Sequence, residues 1–217
     1  MAQRPKPEVR DAIVQAAAEA FADVGFERAA LSDIVQRAGT SIGNFYKYFD
    51  SKGELFAAFL PRGFSAEVER RIRAQVEALR GEQDVFSLAD DHPYRRASEE
   101  LVRFTIAHRH RIVFLLLRAG GTRHAQFRAR LVRLLVGLAL EHARATYAGF
   151  AATSANKRAL TRIYTAYITT LGGILEQERS QRAIREALTL QTTYHLSGLK
   201  AFFLGAHDEE LTMRDSP

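Results

Sequence analysis

The run Leu31 to Lys52, LSDIVQRAGTSIGNFYKYFDSK, constrains the fold more than any other part of the chain, because it sets two short helices and the start of a third in one unbroken stretch. Leu31, Ile34 and Val35 share one face of the first helix. Ala38-Gly39 ends it, since glycine accepts the left-handed backbone that a helix C-terminus favours. Thr40 or Ser41 opens the second helix, where a hydroxyl can accept a hydrogen bond from an amide the helix leaves unpaired. Phe45 and Phe49 lie one turn apart and turn inward, which leaves Gly43, Asn44 and Lys47 on a small, polar and basic outer face. Ser51 followed by Glu54 forms a capping box, so a further helix begins at Lys52.

Two helices joined by a short glycine-containing turn, the second with an uncovered polar face, make a helix-turn-helix, whose second helix can enter a major groove. Periodicity alone leaves this level with a plain hairpin in an all-α core. The residues say more. RDAIVQAAAEAFADVGFERA followed by LSDIVQRAGTSIGNFYKYFDSKGELF resembles the DNA-binding domain of the tetracycline-repressor (TetR) family of bacterial transcriptional regulators. The resemblance runs from about Pro7 to Leu60 and includes the Ala38-Gly39 turn, the Gly43-x-x-Tyr46 helix and the Phe49-x-Ser51-Lys52 exit. It implies that Asn44 and Lys47 face DNA, that Tyr46, Tyr48 and Lys52 touch phosphates, and that Thr40, Ser41 and Ile42 lie nearest the bases or the backbone. An asparagine amide can pair with an adenine edge and a lysine can reach guanine or phosphate, while Gly43 lets the helix approach closely. One departure stands out. Ala29-Ala30 occupies the place where the family often carries threonine, so a side-chain cap worth about 1 kcal/mol is absent unless Ser32 supplies it.

Charge does not locate this surface. The chain carries a formal +6, yet residues 1–60 hold seven Lys/Arg against eight Asp/Glu, and the excess lies in the remainder. Phosphate contact therefore depends on a few well-placed groups. The absence of cysteine removes disulfides and thiolate metal sites and fits a cytoplasmic location. Met1 to Arg10 is polar, basic and proline-containing, unlike a secretory signal, and apolar runs such as Ile112–Leu117 and Leu134–Leu140 are too short to span a bilayer.

Elsewhere the periodicity predicts helices throughout, with no strand pattern and no repeat. Pro7 suits a first helical turn, and Val9, Ile13, Ala16, Ala17, Ala20, Phe21 and Val24 form a stripe that ends at Gly25-Phe26, with Phe26 expected beneath the two short helices. A linker helix over about 52–80 is interrupted near Leu60–Gly63 by Pro61, either as a hinge or as a helix boundary. Gly81–Asp91 reads as a loop, Pro93 opens a helix, and Ile112–Leu117 is buried on all sides. Thr122 is expected to cap a helix through Phe127 and Leu138 that continues past Tyr147, with a loop over Ala151–Ala155. Two long amphipathic helices close the chain, and their Gly172, Gly173 and Gly198 permit close backbone approach. The resemblance implies that these two helices pair with a second copy; Leu160, Tyr164, Tyr167, Leu171, Leu188, Tyr194, Leu199 and Phe202 are the expected interface residues.

No nucleophile–base pattern or phosphate-cradling loop appears, so no enzymatic role or cofactor is expected. His108 and His110 point apart on a helix, which disfavours a metal. Arg118, one turn after Phe114, is either an anchor for an anionic effector in an apolar pocket or a dipole cap; Phe104, Phe114, Phe127, Tyr147, Tyr164 and Tyr167 are its candidate walls.

The expectation is an all-α protein. Its helix-turn-helix DNA-binding domain spans residues 7–60, and a larger helical effector-binding and dimerisation domain spans 61–217. The resemblance implies a homodimeric repressor on a palindromic operator in double-stranded DNA, released by a small molecule. An effector-independent regulator or activator, or a helical carrier or enzyme retaining the hairpin as scaffold, are the alternatives.

Overall fold

The computed structural model describes residues 6–205, and among these it contains helices and turns without a strand. Residues 1–5 of the segment read above as unlike a signal, and the end of the expected second domain after Gly205, lie outside the described residues. The helices are α1 (Pro7–Arg28), α2 (Leu31–Arg37), α3 (Ile42–Phe45), α4 (Lys52–Phe59), α5 (Phe64–Glu77), α6 (Pro93–Ala107), α7 (Arg109–Val113), α8 (Phe127–Thr146), α9 (Ser154–Gln177) and α10 (Gln181–Leu204). A 3₁₀ turn spans Val85–Ser87 and a π-helical turn spans Phe114–Arg118.

Two compact units divide the chain. Among the described residues, the first takes Lys6–Glu67 together with His108–Arg128; the second takes Val68–Ala107 and Ala129–Gly205. Residues 108–128, which the sequence groups with the second domain, join the first unit for an apolar reason. Phe114 is fully buried there, with its ring 5.3 Å from that of Phe56 and 5.6 Å from that of Phe59, in a cluster completed by Phe21. Edge-to-face and tilted contacts of this kind each add about 0.5–1.5 kcal/mol to the burial itself.

α1 is the axis of the first unit. Ile13, Ala16, Ala17, Ala18, Ala20, Phe21 and Ala22 are all buried, so the helix is covered over a wide arc, and alanines let neighbouring elements come close. Val24 is 39% exposed and lies off that arc. Gly25 leaves helical geometry at φ 82° and ψ 168°, after which one more turn runs to Arg28. Only glycine suits that bend, and a Cβ there would also lie 3.2 Å from the Arg118 carbonyl oxygen. Phe26 does not pack beneath the short helices. It turns to α4 instead, 4.8 Å from Phe56 and 5.7 Å from Phe21.

The expected linker helix over 52–80 is two helices. α4 stops at Phe59 and α5 starts at Phe64, with Pro61 in the break and Gly63 at φ 90°. Proline cannot donate to the preceding turn, so the carbonyl ladder opens here. Arg111 closes it from another element: its guanidinium donates to the Phe59 carbonyl, lies over the Phe64 ring at 5.6 Å, and reaches His108 Nδ1 at 3.0 Å.

In the second unit, α6, α9 and α10 pack around Leu160, Ile168, Leu175, Ile184, Leu188 and Leu199, with Arg185 bound to Glu99 at 2.6 Å. Thr153 and Ser180 cap α9 and α10 by accepting from Asn156 N and Ala183 N at 3.1 Å each. α8 ends at Thr146, short of Tyr147, and α9 starts inside the expected Ala151–Ala155 loop because Thr153 supplies that cap. Thr122 caps no helix. In the first unit its hydroxyl donates to Ala119 O at 2.7 Å and accepts from His124 N at 3.1 Å, which stabilises a turn ahead of α8.

Candidate functional site

The α2–α3 hairpin is built by local chemistry. Gly39 adopts φ 65°, its amide donates to Gln36 O at 3.1 Å, and the Thr40 amide donates to Val35 O at 2.9 Å. Those two bonds are the Schellman ending of a helix, which satisfies carbonyls that α2 would otherwise leave bare. Ser41 then caps α3 by accepting from Asn44 N at 3.2 Å. Ala30 gives α2 no side-chain cap, and Ser32 does not replace it, since its hydroxyl donates to Asp33 at 3.2 Å. Ser51 accepts from Glu54 N at 3.1 Å, and the Glu54 carboxylate returns to Asp50 N at 2.6 Å, one residue earlier than in a standard capping box.

Two phenylalanines fix the direction in which α3 presents its other residues. Phe45 is 0% exposed and Phe49 2%, their rings stacked at 5.6 Å. With that face held in the core, the opposite face has no choice but solvent. Ser41, Ile42, Gly43, Tyr46 and Lys47 are exposed, Tyr46 by 56% and Ile42 by 46%. Nothing lies within 4 Å of a Cβ built on Gly43, so its neighbourhood is open.

Other expected contact residues are tied down. Asn44 is half-buried and its amide donates to Thr40 Oγ1 at 2.8 Å, so one of its two N–H donors is already used. The Tyr48 hydroxyl accepts from the Lys6 amide at 3.0 Å. Lys52 does not stand beside Lys47; its ammonium donates to Glu27 O at 3.2 Å at the C-terminus of α1 and lies 4.8 Å from the Phe26 ring centroid. Burial there lowers its pKa, against a smaller raising effect from Glu27. Sequence reasoning missed Lys6 and Arg10, both exposed beside this face, the guanidinium of Arg10 5.2 Å over the Phe49 ring. Their only signal was placement at the start of α1, Lys6 just before it and Arg10 in its first turn, which says nothing of the neighbour they meet.

The expected effector pocket is not gathered in one place. Phe114 and Phe127 are core residues of the first unit, at 0% and 1% exposure. Arg118 is there too, its guanidinium donating to Asp23 O at 3.1 Å, a carbonyl of α1 and not of the helix whose dipole it was expected to cap. Phe104 in the second unit lies under the Arg71 guanidinium at 4.5 Å, and Tyr167 stacks on His195 at 3.8 Å. Tyr147 and Tyr164 do share a cavity, of about 80 Å³, walled mainly by α10, α8 and the segment 79–85. Among the described residues no cluster of His, Cys, Asp or Glu could hold a metal, and no helix is long and apolar enough to cross a membrane.

The expected interface residues divide as well. Leu160, Tyr164, Leu188 and Leu199 are buried inside the second unit, while Tyr167, Leu171 and Phe202 are half-buried. Tyr194 is 78% exposed, and its neighbour Leu190 is 73% exposed.

A buried aromatic anchor, a Schellman turn and an outward second helix define the first unit as a helix-turn-helix domain of the DNA-binding kind. Residues 13–59 match the bacterial regulatory proteins of the tetR family, so the chain carries at this position a domain of that family. The chain is 36% identical over 78 residues to the HTH-type transcriptional regulator YvdT of Bacillus subtilis, covering 36% of this chain and 38% of that protein. It is also 36% identical over 88 residues to the HTH-type transcriptional activator FasR of Mycolicibacterium smegmatis, covering 35% and 40%. The matches thus span less than half the length of these relatives. A TetR-family regulator from Streptomyces coelicolor A3 aligns over 94% of this chain and 98% of its own at 16% identity with a TM-score of 0.28, a similarity too low to bear on the fold.

Proposed function

We propose that this chain is a sequence-specific transcriptional regulator that binds double-stranded DNA as a homodimer in the cytoplasm, represses from a palindromic operator, and is released by a small-molecule effector. The observation that carries the reading is the α3 face: Ser41, Ile42, Gly43, Tyr46 and Lys47 exposed on a segment whose other side is locked by Phe45 and Phe49. Residues 7–60 do the reading of DNA, and the helices beyond provide dimerisation and effector binding.

The dimer rests on a second face. Beyond Arg162, which is itself exposed, the outward side of α9 presents Thr165, Ala166, Thr169 and Thr170, and the threonine hydroxyls donate to carbonyls of their own helix, which leaves methyl groups outward. On α10 the outward side presents Leu190, Tyr194, Gly198, Ala201 and Leu204. In a chain where 26% of residues are charged, an uncharged surface of this length fits a partner better than water. Gly198 has nothing within 4 Å of a built Cβ, which leaves room for another backbone. Two-fold pairing through this face would offer α3 twice and would require a symmetric operator. Release would follow from an effector that binds the DNA-incompetent spacing more tightly than the competent one.

FasR is named an activator, and that favours a second reading in which this chain activates rather than represses. Selection of genomic fragments by the purified protein, repeated with a metabolite panel, tests the first reading. Recovery of one palindrome, lost with one compound, is the expected result; recovery of unrelated fragments in proportion to their length would reject it. A promoter reporter with and without the protein separates repression from activation.

A further inference from the structure

The cavity in the second unit has a wall whose chemistry is unusually one-sided. Its aliphatic and aromatic surface comes from residues such as Val76, Leu79, Ala139, Leu196 and Phe203. Of the charged groups at its edge, Lys200 holds Asp84 at 2.9 Å, and Glu82, 3.7 Å from the His92 ring, has 43% of its side chain open to solvent. The Tyr147 hydroxyl donates to Gln83 O and the Gln83 amide donates to Thr146 O, each at 3.0 Å. Two wall groups differ from these. The Tyr164 hydroxyl makes no hydrogen bond among the described residues although the side chain is only 7% exposed, and the His142 ring bonds only through Nδ1, 3.5 Å from the Thr146 hydroxyl. The Tyr164 oxygen is not sealed in the core but opens on the cavity, where a tyrosine hydroxyl ordinarily takes a partner.

We infer that this cavity binds a small uncharged molecule, an apolar body bearing one oxygen such as a short alcohol or ketone, whose oxygen meets the Tyr164 hydroxyl or His142. The inference rests on the effector reading above and names the class of molecule that reading leaves open. Charge is disfavoured from two directions. Lys200, the cation among the lining residues, is already held by Asp84, the Glu82 carboxylate meets solvent, and burial raises the pKa of Tyr147 and Tyr164 and lowers that of His142, so the surroundings oppose charge of either sign. Size sets a second limit. At about 80 Å³ the space is smaller than the ~150 Å³ apolar cavity that takes up benzene, so the ligand has only a few heavy atoms.

The test uses the full chain without DNA and four probes of equal length: n-butanol, 2-butanone, butyrate and n-butylammonium. Saturation-transfer NMR titrations are expected to show saturable binding of the two neutral probes only. Tyr164→Phe, which keeps the ring in place, is expected to weaken them about fivefold to tenfold, and Ala139→Leu to abolish binding by filling the space. Thermal melts establish that each variant folds, and if Ala139→Leu does not, Tyr164→Phe decides alone. Binding of butyrate or butylammonium as tight as that of butanol, absence of saturable binding by any probe, or titrations unchanged by Tyr164→Phe would each overturn the inference. Failure of the regulator reading is separate: it would appear as neutral-probe binding with no effect on DNA affinity. Release of DNA by a metabolite from folded Ala139→Leu protein would instead reject the cavity and leave the regulator reading standing.

Discussion

Lys47 and Lys52 carry the same charge in the sequence, and the structure gives them different work. Lys47 is exposed on α3, whereas Lys52 is spent on the Glu27 carbonyl. A freely exposed lysine that meets phosphate releases counterions, so Lys47→Ala is expected to weaken DNA binding across sequences and to reduce the slope of log affinity against log salt by about 1. Lys52→Ala is expected to leave that slope unchanged and to lower the melting temperature, because it strips a carbonyl at the end of α1 of its donor. Anisotropy titrations across salt, paired with melts, separate the two, and equal slopes would place both lysines on phosphate. Gly39 makes a comparable point about the backbone. At φ 65° an alanine costs about 1 kcal/mol, and Gly39→Ala is expected to show that loss in urea unfolding without changing the nature of the α3 face.

Between elements, the break at Pro61 and the pairing of α9 with α10 are the informative joints. Arg111 supplies a donor to the Phe59 carbonyl where α4 ends, so Arg111→Met, which keeps the aliphatic stem, is expected to destabilise by about 1–3 kcal/mol in denaturant unfolding. In the α9–α10 pair, His195 is 8% exposed, stacked on Tyr167, and its Nε2 has no partner, so burial pulls its pKa down to about 4 from 6.5. The unfolded chain then holds a proton that the folded chain lacks between those two values. Stability is therefore complete above pH 6.5 and falls as the pH drops toward 4, by roughly 3 kcal/mol over the window. Burial acts on His110 and His142 in the same direction. His195→Phe keeps the stack and removes the titration, so its unfolding free energy is expected to fall less between pH 7 and pH 4.5 than that of the parent; parallel falls would show that His195 is not the group.

At the scale of the molecule the open matter is association, and the uncharged face of α9 and α10 makes it testable. Placing carboxylates there by Leu190→Glu and Tyr194→Glu costs little in the protomer, since both side chains already meet water. In a dimer they would be driven together in an apolar seam. Sedimentation is expected to show a monomer, and operator affinity is expected to drop by tenfold or more as the second half-site is lost. A variant that stays dimeric would move the interface elsewhere. Among the residues that the resemblance implied there, Leu160, Tyr164, Leu188 and Leu199 turn to the core, because a stripe that wide contains both the side turned to the core and the side beyond it.

Sequence alone determined what depends on near neighbours: the all-α class, the Gly39 turn, the Ser41 and Ser51 caps, the inward pair Phe45 and Phe49, and the interruption at Pro61. These are set within about one helical turn, where backbone sterics and i-to-i+3 or i-to-i+4 spacing leave few alternatives. Tertiary structure decided which of several equivalent groups each side chain meets. It gave Lys52 to Glu27, Arg118 to Asp23, residues 108–128 to the first unit and Tyr164 to a cavity, because burial and long-range hydrogen bonds depend on elements far apart along the chain, and periodicity carries no record of those partners.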